Sequence, residues 1–173
     1  ARLDEAAQRL ARVLTEERAD VLLSYDRNGG YGHPDHVRVH HVAAEAARRA
    51  GTPRVLQATA PRDLLCGALG LLARFGFTPS GLERARCHRV YSARAAITHR
   101  VRVYRYAGRK RASLRAHASQ TAARGGADRV LAACLRLPRP LYDLVFGLEW
   151  FVDADHRGPV SGDIFAGLPC RRP

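Results

Sequence analysis

Two histidines and a carboxylate stand within four consecutive residues of this 173-residue chain. His33, Asp35 and His36 follow a glycine-rich turn at residues 28–30 and precede a helical pattern. Imidazole nitrogens and carboxylate oxygens are ligands that zinc accepts, and the same groups transfer protons in catalysis. The segment therefore predicts a zinc site or a site of general acid–base chemistry.

The proline inside this segment limits how its two histidines can be used. Pro34 disfavours helical backbone at His33 and suits the first turn of the helix that follows. Both histidines could reach one metal, but this geometry favours a division of labour in which His36 binds the metal. His33 would then face the substrate and polarise a carbonyl or protonate a leaving group, with Asp35 orienting an imidazole.

Two other interpretations of the segment stay open. Asp35 is a suitable N-cap for the following helix, and that role needs no catalysis. His36 and His40 are four residues apart, so they could form a metal-binding pair on one helix face. No glutamate lies between them as in the HExxH zinc motif.

Hydrophobic patterns place the motif in a strand–loop–helix–strand unit. An amphipathic helix over residues 3–18 precedes a short apolar strand at 20–24, a helix at 36–49 and a second strand at 53–58. Such a βαβ unit has parallel strands and a right-handed crossover. The loop with the motif therefore lies at the carboxyl end of a strand, where open α/β sheets bind ligands.

The rest of the chain predicts further helices and strands within one domain over residues 1–173, because no repeat or linker divides it. The expected fold class is α/β with a mostly parallel sheet. The tail from Glu149 onward is expected to pack against the sheet as an appendage. Helices are predicted at 61–75, 106–120, 129–137 and 141–146, and strands at 88–90 and 97–103.

The net charge of +13 raises the question of nucleic acid. The densest basic cluster comprises Arg109, Lys110, Arg111 and Arg115, on a predicted helix. The other arginines are spread over nearly every segment, so we expect no nucleic-acid partner. An anionic substrate or an acidic partner segment would account for the charge equally well. The sequence contains no run of about 18 apolar residues, so no membrane span is indicated.

The four cysteines of the chain are widely spaced and form no CxxC pair. Zinc-ribbon and thioredoxin-like sites are therefore not indicated. Cys66 and Cys134 stand in apolar helical contexts and are expected to be buried, reduced thiols. A reducing, cytoplasmic location is the simplest expectation.

The motif and its surroundings resemble the PIG-L (LmbE-like) family of zinc-dependent N-deacetylases. The matching segments lie at residues 21–26, 28–36, 116–120, 146–151 and 163–168. The resemblance runs over nearly the whole chain. It implies a Rossmann-like three-layer sandwich, one Zn²⁺ cofactor, and removal of acetyl from an N-acetylated sugar of the N-acetylglucosaminyl type or a related amide.

The resemblance also implies roles for individual residues. His36 would be the third zinc ligand, and His33 would stabilise the tetrahedral oxyanion or act as general acid. Asp35 would tune His33, and Tyr31 would be a mobile residue beside the substrate carbonyl. His117 also lies in a familial segment, where helix packing is its favoured role.

One family feature has no counterpart in the chain. The family begins with a strand and an HPDDE-type motif that supplies two zinc ligands and the aspartate base. We therefore expect an N-terminally truncated domain that lacks the first strands, with an incomplete zinc site, no activity by itself and a tendency to self-associate. The alternative is a non-catalytic remnant of the same fold that binds a sugar or a partner.

Overall fold

The computed structural model describes residues 2–76, 87–116, 132 and 134–168 of the chain. These residues form helices packed against one mixed β-sheet, an α/β arrangement. The helices are α1 (Leu3–Glu16), α2 (Pro34–Ala50), α3 (Arg62–Arg74), α4 (Ala107–Ala116) and α5 (Arg139–Phe146). The strands are β1 (Val21–Tyr25), β2 (Arg54–Thr59), β3 (His99–Arg102) and β4 (Leu148–Val152).

The predicted βαβ unit is confirmed. Strands β1 and β2 pair in parallel from Val21 opposite Arg54 to Tyr25 opposite Ala58, and α2 connects them. Pro34 occupies the first turn of α2, and Gly51 ends the helix in the left-handed conformation with φ 66°. These are positions where proline and glycine are favoured because of their backbone restrictions.

The prediction of a mostly parallel sheet is wrong, because the sheet has the order β1-β2-β4-β3 and β4 is antiparallel to both of its neighbours. The segment from Glu149 is therefore part of a central strand and is not an appendage. Its run of apolar and aromatic residues suits a strand, but the pattern does not identify the pairing partners. The strand predicted at 97–103 is confirmed as β3, whereas residues 88–90 form a turn and a bend.

Helices α1 and α2 cover one face of the parallel strand pair. Their contact is built from small and aliphatic side chains, and Leu22 of β1 packs against it. Leu23 points to the opposite face of the sheet because successive strand residues alternate. Its side chain is 55% exposed, so the two faces of β1 differ sharply in cover.

The basic cluster of α4 is largely engaged within the fold. The Lys110 ammonium lies 2.9 Å from the Glu149 carboxylate. Arg111 donates to the carbonyl of Leu135 at 2.6 Å, and its guanidinium lies over the ring of Tyr142. These contacts join α4 to α5 and β4 and make the cluster part of the packing.

The expectation of a reduced Cys66 is wrong, because Cys66 and Cys87 form a disulfide between α3 and the segment before β3. The disulfide removes part of the reason for expecting a reducing compartment, and the cytoplasmic location stays a prediction. Cys134 is a half-buried free thiol, and burial raises its pKa. His117 lies outside the described residues. Within them, no helix is both long enough and apolar enough to cross a membrane.

Candidate functional site

The loop that carries the motif is organised around a buried aspartate at the end of β1. Asp26 is fully buried. One of its carboxylate oxygens accepts the backbone N–H groups of Asn28 and Gly30 at 3.2 and 2.9 Å. The other accepts the hydroxyl groups of Thr59 and Ser92 at 2.6 and 3.0 Å. Four neutral donors thus compensate the cost of burying this charge.

Residues 91 and 92 support the same loop from outside. The Tyr91 backbone N–H donates to the Gly30 carbonyl at 2.7 Å, and the Asn28 side-chain amide donates to the Tyr91 carbonyl. Burial, reinforced by the negative charge of Asp26, raises the pKa of the Tyr91 hydroxyl. The loop is therefore bonded to the chain at a point more than 60 residues away.

Gly29 allows the loop to lie directly on the first turn of α2. Its φ is 66°, and a Cβ atom there would lie 2.7 Å from the His33 carbonyl oxygen and 2.8 Å from a Val37 methyl group. Both the left-handed backbone and the close approach exclude larger residues. This glycine thereby fixes where the two histidines begin their helix.

His33 is the N-cap of α2. Its backbone is extended, and its Nδ1 accepts the backbone N–H of Asp35 at 3.2 Å. The open interpretation that made Asp35 the cap is therefore wrong, since the cap position precedes Pro34. Because Nδ1 is the acceptor in this contact, a neutral His33 carries its proton on Nε2.

His36 is held in one orientation from two sides. Its ring stacks on Tyr25 with 3.9 Å between centroids and 2° between planes. Its Nδ1 lies 3.3 Å from the Gly29 carbonyl oxygen. A carbonyl only accepts, so Nδ1 is the donor and Nε2 keeps its lone pair. A histidine that ligates a metal through Nε2 commonly has its other ring nitrogen bonded in this way.

The structure brings Tyr31 and both histidines together. The ring centroids of His33 and His36 are 4.8 Å apart, and Tyr31 meets both rings edge-on at 5.9 and 5.2 Å. Asp35 stands at the margin of this group: its carboxylate is 85% exposed and lies 3.9 Å from His33 Nδ1. The four residues singled out from the sequence thus share one surface.

His40 faces the end of the strand. Its Nδ1 lies 3.1 Å from the Tyr25 carbonyl oxygen, so this nitrogen donates a hydrogen bond to β1. The arrangement gives His40 a bonding role at the junction of α2 and β1. This hydrogen bond accounts for His40 without the His36–His40 metal pair that their helical spacing would allow.

A second group of possible metal ligands lies toward the other end of the sheet. His99, Asp153 and His156 each offer a ligand atom, and these atoms lie within 4.8 Å of one another. Burial lowers the pKa of His99, and His156 and Arg54 lower it further, against Asp153 and Asp163. This group was not predicted from the sequence, because His99 is separated by more than 50 residues from Asp153 and His156.

Several residues that hold the motif in place were not assigned a role from the sequence. Asp26 and Tyr25 lie in the matching segments, but only the structure shows the carboxylate binding the loop and the ring supporting His36. A usable signal existed for Asp26. An aspartate two to four residues before Asn28, Gly29 and Gly30 is typical of a side chain that binds turn backbone. No such signal indicates Thr59 or Ser92.

Several curated proteins that are similar to the chain carry the same name. The chain is 36% identical over 170 residues to a 1D-myo-inositol 2-acetamido-2-deoxy-alpha-D-glucopyranoside deacetylase of Saccharomonospora viridis, covering 96% of the chain and 60% of that protein. Proteins of the same name from Streptomyces griseus and Nakamurella multipartita are 35% and 39% identical, over 96% and 88% of the chain. The matches cover 55% of each of these two relatives. No family model matches the chain.

The chain is homologous, over most of its length, to deacetylases of the PIG-L (LmbE-like) kind. The resemblance inferred from the motif segments is thereby confirmed. The chain spans about 60% or less of the length of these curated relatives. In this chain, the loop that follows β1 and the first turn of α2 carry Tyr31, His33, Asp35 and His36 on one surface.

Proposed function

We propose that the chain forms part of a zinc-dependent N-deacetylase that removes acetyl from an N-acetylated sugar of the N-acetylglucosaminyl type. The observation that carries this proposal is the orientation of His36, whose Nδ1 is bound to the Gly29 carbonyl while Nε2 keeps its lone pair. Relatives that cover most of the chain are named as deacetylases of an acetamido-sugar linked to inositol. The substrate class follows from those names.

The donor set of the loop fits one position of a catalytic zinc site. His36 would hold the ion through Nε2, and stacking on Tyr25 would limit rotation of the ring. A bound zinc ion would act as a Lewis acid and lower the pKa of water in its open position. A catalytic zinc takes three protein ligands, so two further donors are needed beside His36.

His33 would act on the substrate carbonyl. In its neutral form the proton is on Nε2, because Nδ1 accepts the Asp35 backbone N–H. The Nε2–H can therefore donate a hydrogen bond to the oxygen that gains negative charge when the acetyl carbonyl is attacked. The Asp35 carboxylate lies 3.9 Å from Nδ1 at the margin of the same site. In a general-acid role, His33 would donate a proton to the leaving amine.

Tyr31 would border the same substrate position. Its ring contacts both imidazoles, and 46% of its surface is exposed, so a sugar amide approaching the histidines would meet it. We place its hydroxyl beside the acetyl carbonyl as a further donor. This role and those of His33, Asp35 and His36 are part of the proposal.

The proposed enzyme would have a Rossmann-like three-layer fold. Helices α1 and α2 form one outer layer, and Leu23 on the opposite face of β1 is 55% exposed. A third layer would cover this face. Exposed apolar surface favours association between proteins. We therefore expect the 173-residue chain to associate with itself through the face that carries Leu23.

The test compares two proteins: the 173-residue chain and the complete product of its reading frame, both purified without chelator or affinity tag. Zinc content and acetate release from an N-acetylglucosaminyl-inositol substrate are measured for each. In the complete product, His36→Ala should lose one equivalent of bound zinc and reduce kcat/KM by at least roughly 100-fold. His33→Ala should keep zinc and lose kcat, because it removes a donor needed in the transition state.

His41→Ala is the matched control, since His41 lies on the same helix and is exposed. It should leave zinc content and activity unchanged. Full zinc content and full activity in His36→Ala would contradict the proposal. If the sugar binds equally well with and without His36 and no acetate is released, the non-catalytic alternative replaces it. The 173-residue chain by itself is expected to be inactive.

A further inference from the structure

Three residues at the side of the sheet remote from the motif form a group with the composition of a transition-metal site. His99 begins β3, Asp153 follows β4, and His156 lies in the loop after it. Asp153 approaches Arg54 at the amino end of β2, whereas the motif loop leaves the carboxyl end of β1. The group is therefore separate from the proposed deacetylase site. We propose that it binds a divalent transition-metal ion.

The ring nitrogens of both histidines are arranged to leave one ligand atom each. His99 Nδ1 lies 2.9 Å from the Thr98 hydroxyl, which leaves Nε2 for a metal. His156 Nε2 lies 2.9 Å from the Pro159 carbonyl oxygen and must donate to it, which leaves the Nδ1 lone pair. The two rings are 4.9 Å apart. Each imidazole thus has one nitrogen bonded to the protein and one available.

Asp153 supplies a carboxylate that is already partly engaged. One oxygen accepts the Asp155 backbone N–H at 3.0 Å, and the other lies 3.2 Å from Arg54 Nε. Each carboxylate oxygen accepts two contacts, so either can also meet a metal ion. Arg54 opposes a cation at this place, while the carboxylate of Asp163 adds negative charge near His99.

The distances require only a small contraction. The ligand atoms lie within 4.8 Å of one another, and ligands of a tetrahedral zinc ion are about 3.4 Å apart. His99 and Asp153 are 1% and 6% exposed, and His156 belongs to a surface loop. Movement of His156 toward the two buried ligands would close the site. Two imidazoles and one carboxylate suit Zn²⁺ or its transition-metal neighbours better than Mg²⁺ or Ca²⁺.

The consequence would be structural. Residues 153–161 leave β4 and return beside β3, where the Ser161 backbone bonds to Thr98 and Arg100. An ion between His99, Asp153 and His156 would tie this loop to two strands. It would stabilise the folded chain in proportion to the occupancy of the site, because the unfolded chain does not hold the three ligands together.

The experiment uses the tag-free 173-residue chain, stripped of metal and titrated with Zn²⁺ against a chromophoric chelator, with thermal unfolding recorded with and without Zn²⁺. The wild type and His36→Ala should both bind the ion and melt at a higher temperature in its presence. His156→Ala should weaken this binding by at least roughly 10-fold and abolish the rise in Tm. His41→Ala should behave as the wild type.

A second variant protects the test against a folding defect. His156→Gln keeps a polar side chain in the surface loop and leaves the Asp153–Arg54 ion pair intact, so it should also weaken Zn²⁺ binding while Asp155→Asn does not. Unchanged affinity and an unchanged Tm rise in His156→Ala would overturn the proposal. So would loss of all Zn²⁺ binding in His36→Ala. Failure of the deacetylase assay, by contrast, would leave this result unaffected.

Discussion

Two buried aspartates lie toward opposite ends of the sheet and are stabilised in different ways. Asp26 receives four hydrogen bonds from neutral backbone and hydroxyl donors. Asp153 pairs with the guanidinium of Arg54, which is itself 13% exposed in its side chain. The first carboxylate organises the loop that carries the histidine motif, and the second holds the end of β4 against the start of β2.

The difference shows how each end of the sheet can serve chemistry. Neutral donors hydrogen-bond to Asp26 and fix the backbone at residues 28 and 30. No charged side chain takes part in these hydrogen bonds. At Asp153, a cation already balances the carboxylate, so any metal must share it. Neutral hydrogen bonds therefore suit a loop that must present metal ligands. An ion pair suits a junction between two strands.

The largest effect is expected from Asp153→Ala in metal-free protein. Removing one partner of a buried ion pair leaves Arg54 uncompensated, and such losses cost about 3–5 kcal/mol. The free energy of unfolding in urea measures the change, with the exposed Asp155→Ala as control. A cost below about 1 kcal/mol would show that the ion pair is effectively solvated.

A slightly smaller loss is expected from Asp26→Ala. It leaves the buried Gly30 N–H without its acceptor, which costs about 1–3 kcal/mol, and three part-buried donors lose hydrogen bonds that water can partly replace. Asp26→Asn should cost less, because one amide oxygen still accepts the backbone donors while Thr59 and Ser92 hydroxyls can rotate to accept. Equal costs for the two variants would indicate that the charge itself is essential.

Gly29→Ala should destabilise the loop more than Gly51→Ala, although both glycines have φ 66°. A methyl group at Gly29 meets the His33 carbonyl, whereas nothing lies within 4 Å of one at Gly51. We expect about 1 kcal/mol for the backbone strain alone and roughly 2–4 kcal/mol where the clash is added. Urea unfolding of both variants separates the cost of backbone strain from the cost of the steric clash. Equal losses of stability in the two variants would contradict the close contact at Gly29.

His33→Ala should cost about 1 kcal/mol of stability because it removes the N-cap of α2. His33→Asn should restore that stability, since asparagine is a favoured N-cap, without restoring the imidazole. Stability measured by urea and kcat measured on the complete reading-frame product therefore separate capping from catalysis. Recovery of kcat by asparagine would mean that capping alone explains the histidine.

The smallest expected effect is a pH dependence of stability that arises from His99 at the start of β3. Burial lowers the pKa of His99 below its ordinary 6.5, so the unfolded chain takes up this proton more readily than the folded chain. The contribution of His99 to stability is complete above pH 6.5 and is lost as the pH falls through and below that value. Charges that face His99 are those of Arg54, Asp153, His156 and Asp163.

The measurement is the urea midpoint of metal-free protein at about pH 7.5 and about pH 5.5, on either side of the ordinary histidine pKa. Stability should decrease toward the lower value in the wild type and decrease less in His99→Asn. The exposed His41→Ala keeps the wild-type dependence if His99 is its source. A His99→Asn protein with the full pH dependence would assign the effect to another group.

The sequence was sufficient for the features that depend on near neighbours. Pro34 and Gly51 predict the start and end of α2 because their backbone restrictions act locally, and strands β1 and β2 follow from apolar runs of strand length. The histidine motif and its family were also recognised this way. Asp35 was one exception, since a histidine two positions earlier supplies the capping atom.

The features that depend on distant pairing were missed. The segment from Glu149 onward was predicted to be an appendage, but residues 149–152 belong to a central strand whose antiparallel partners lie at residues 57–59 and 99–102. Cys66 was predicted to be a reduced thiol but forms a disulfide with Cys87. Hydrophobic periodicity describes the face of an element and carries no information on its neighbours.

Tyr31, His33, Asp35 and His36 are near neighbours in the chain, so their grouping between a strand and the first turn of a helix could be predicted from the sequence. The orientation of His36 by Tyr25 and Gly29, and the support of the loop by Thr59 and Ser92, depend on contacts that form only in the folded protein. So does the assembly of His99, Asp153 and His156. Contacts between distant segments are set by the simultaneous packing of the whole sheet, and no local pattern specifies them.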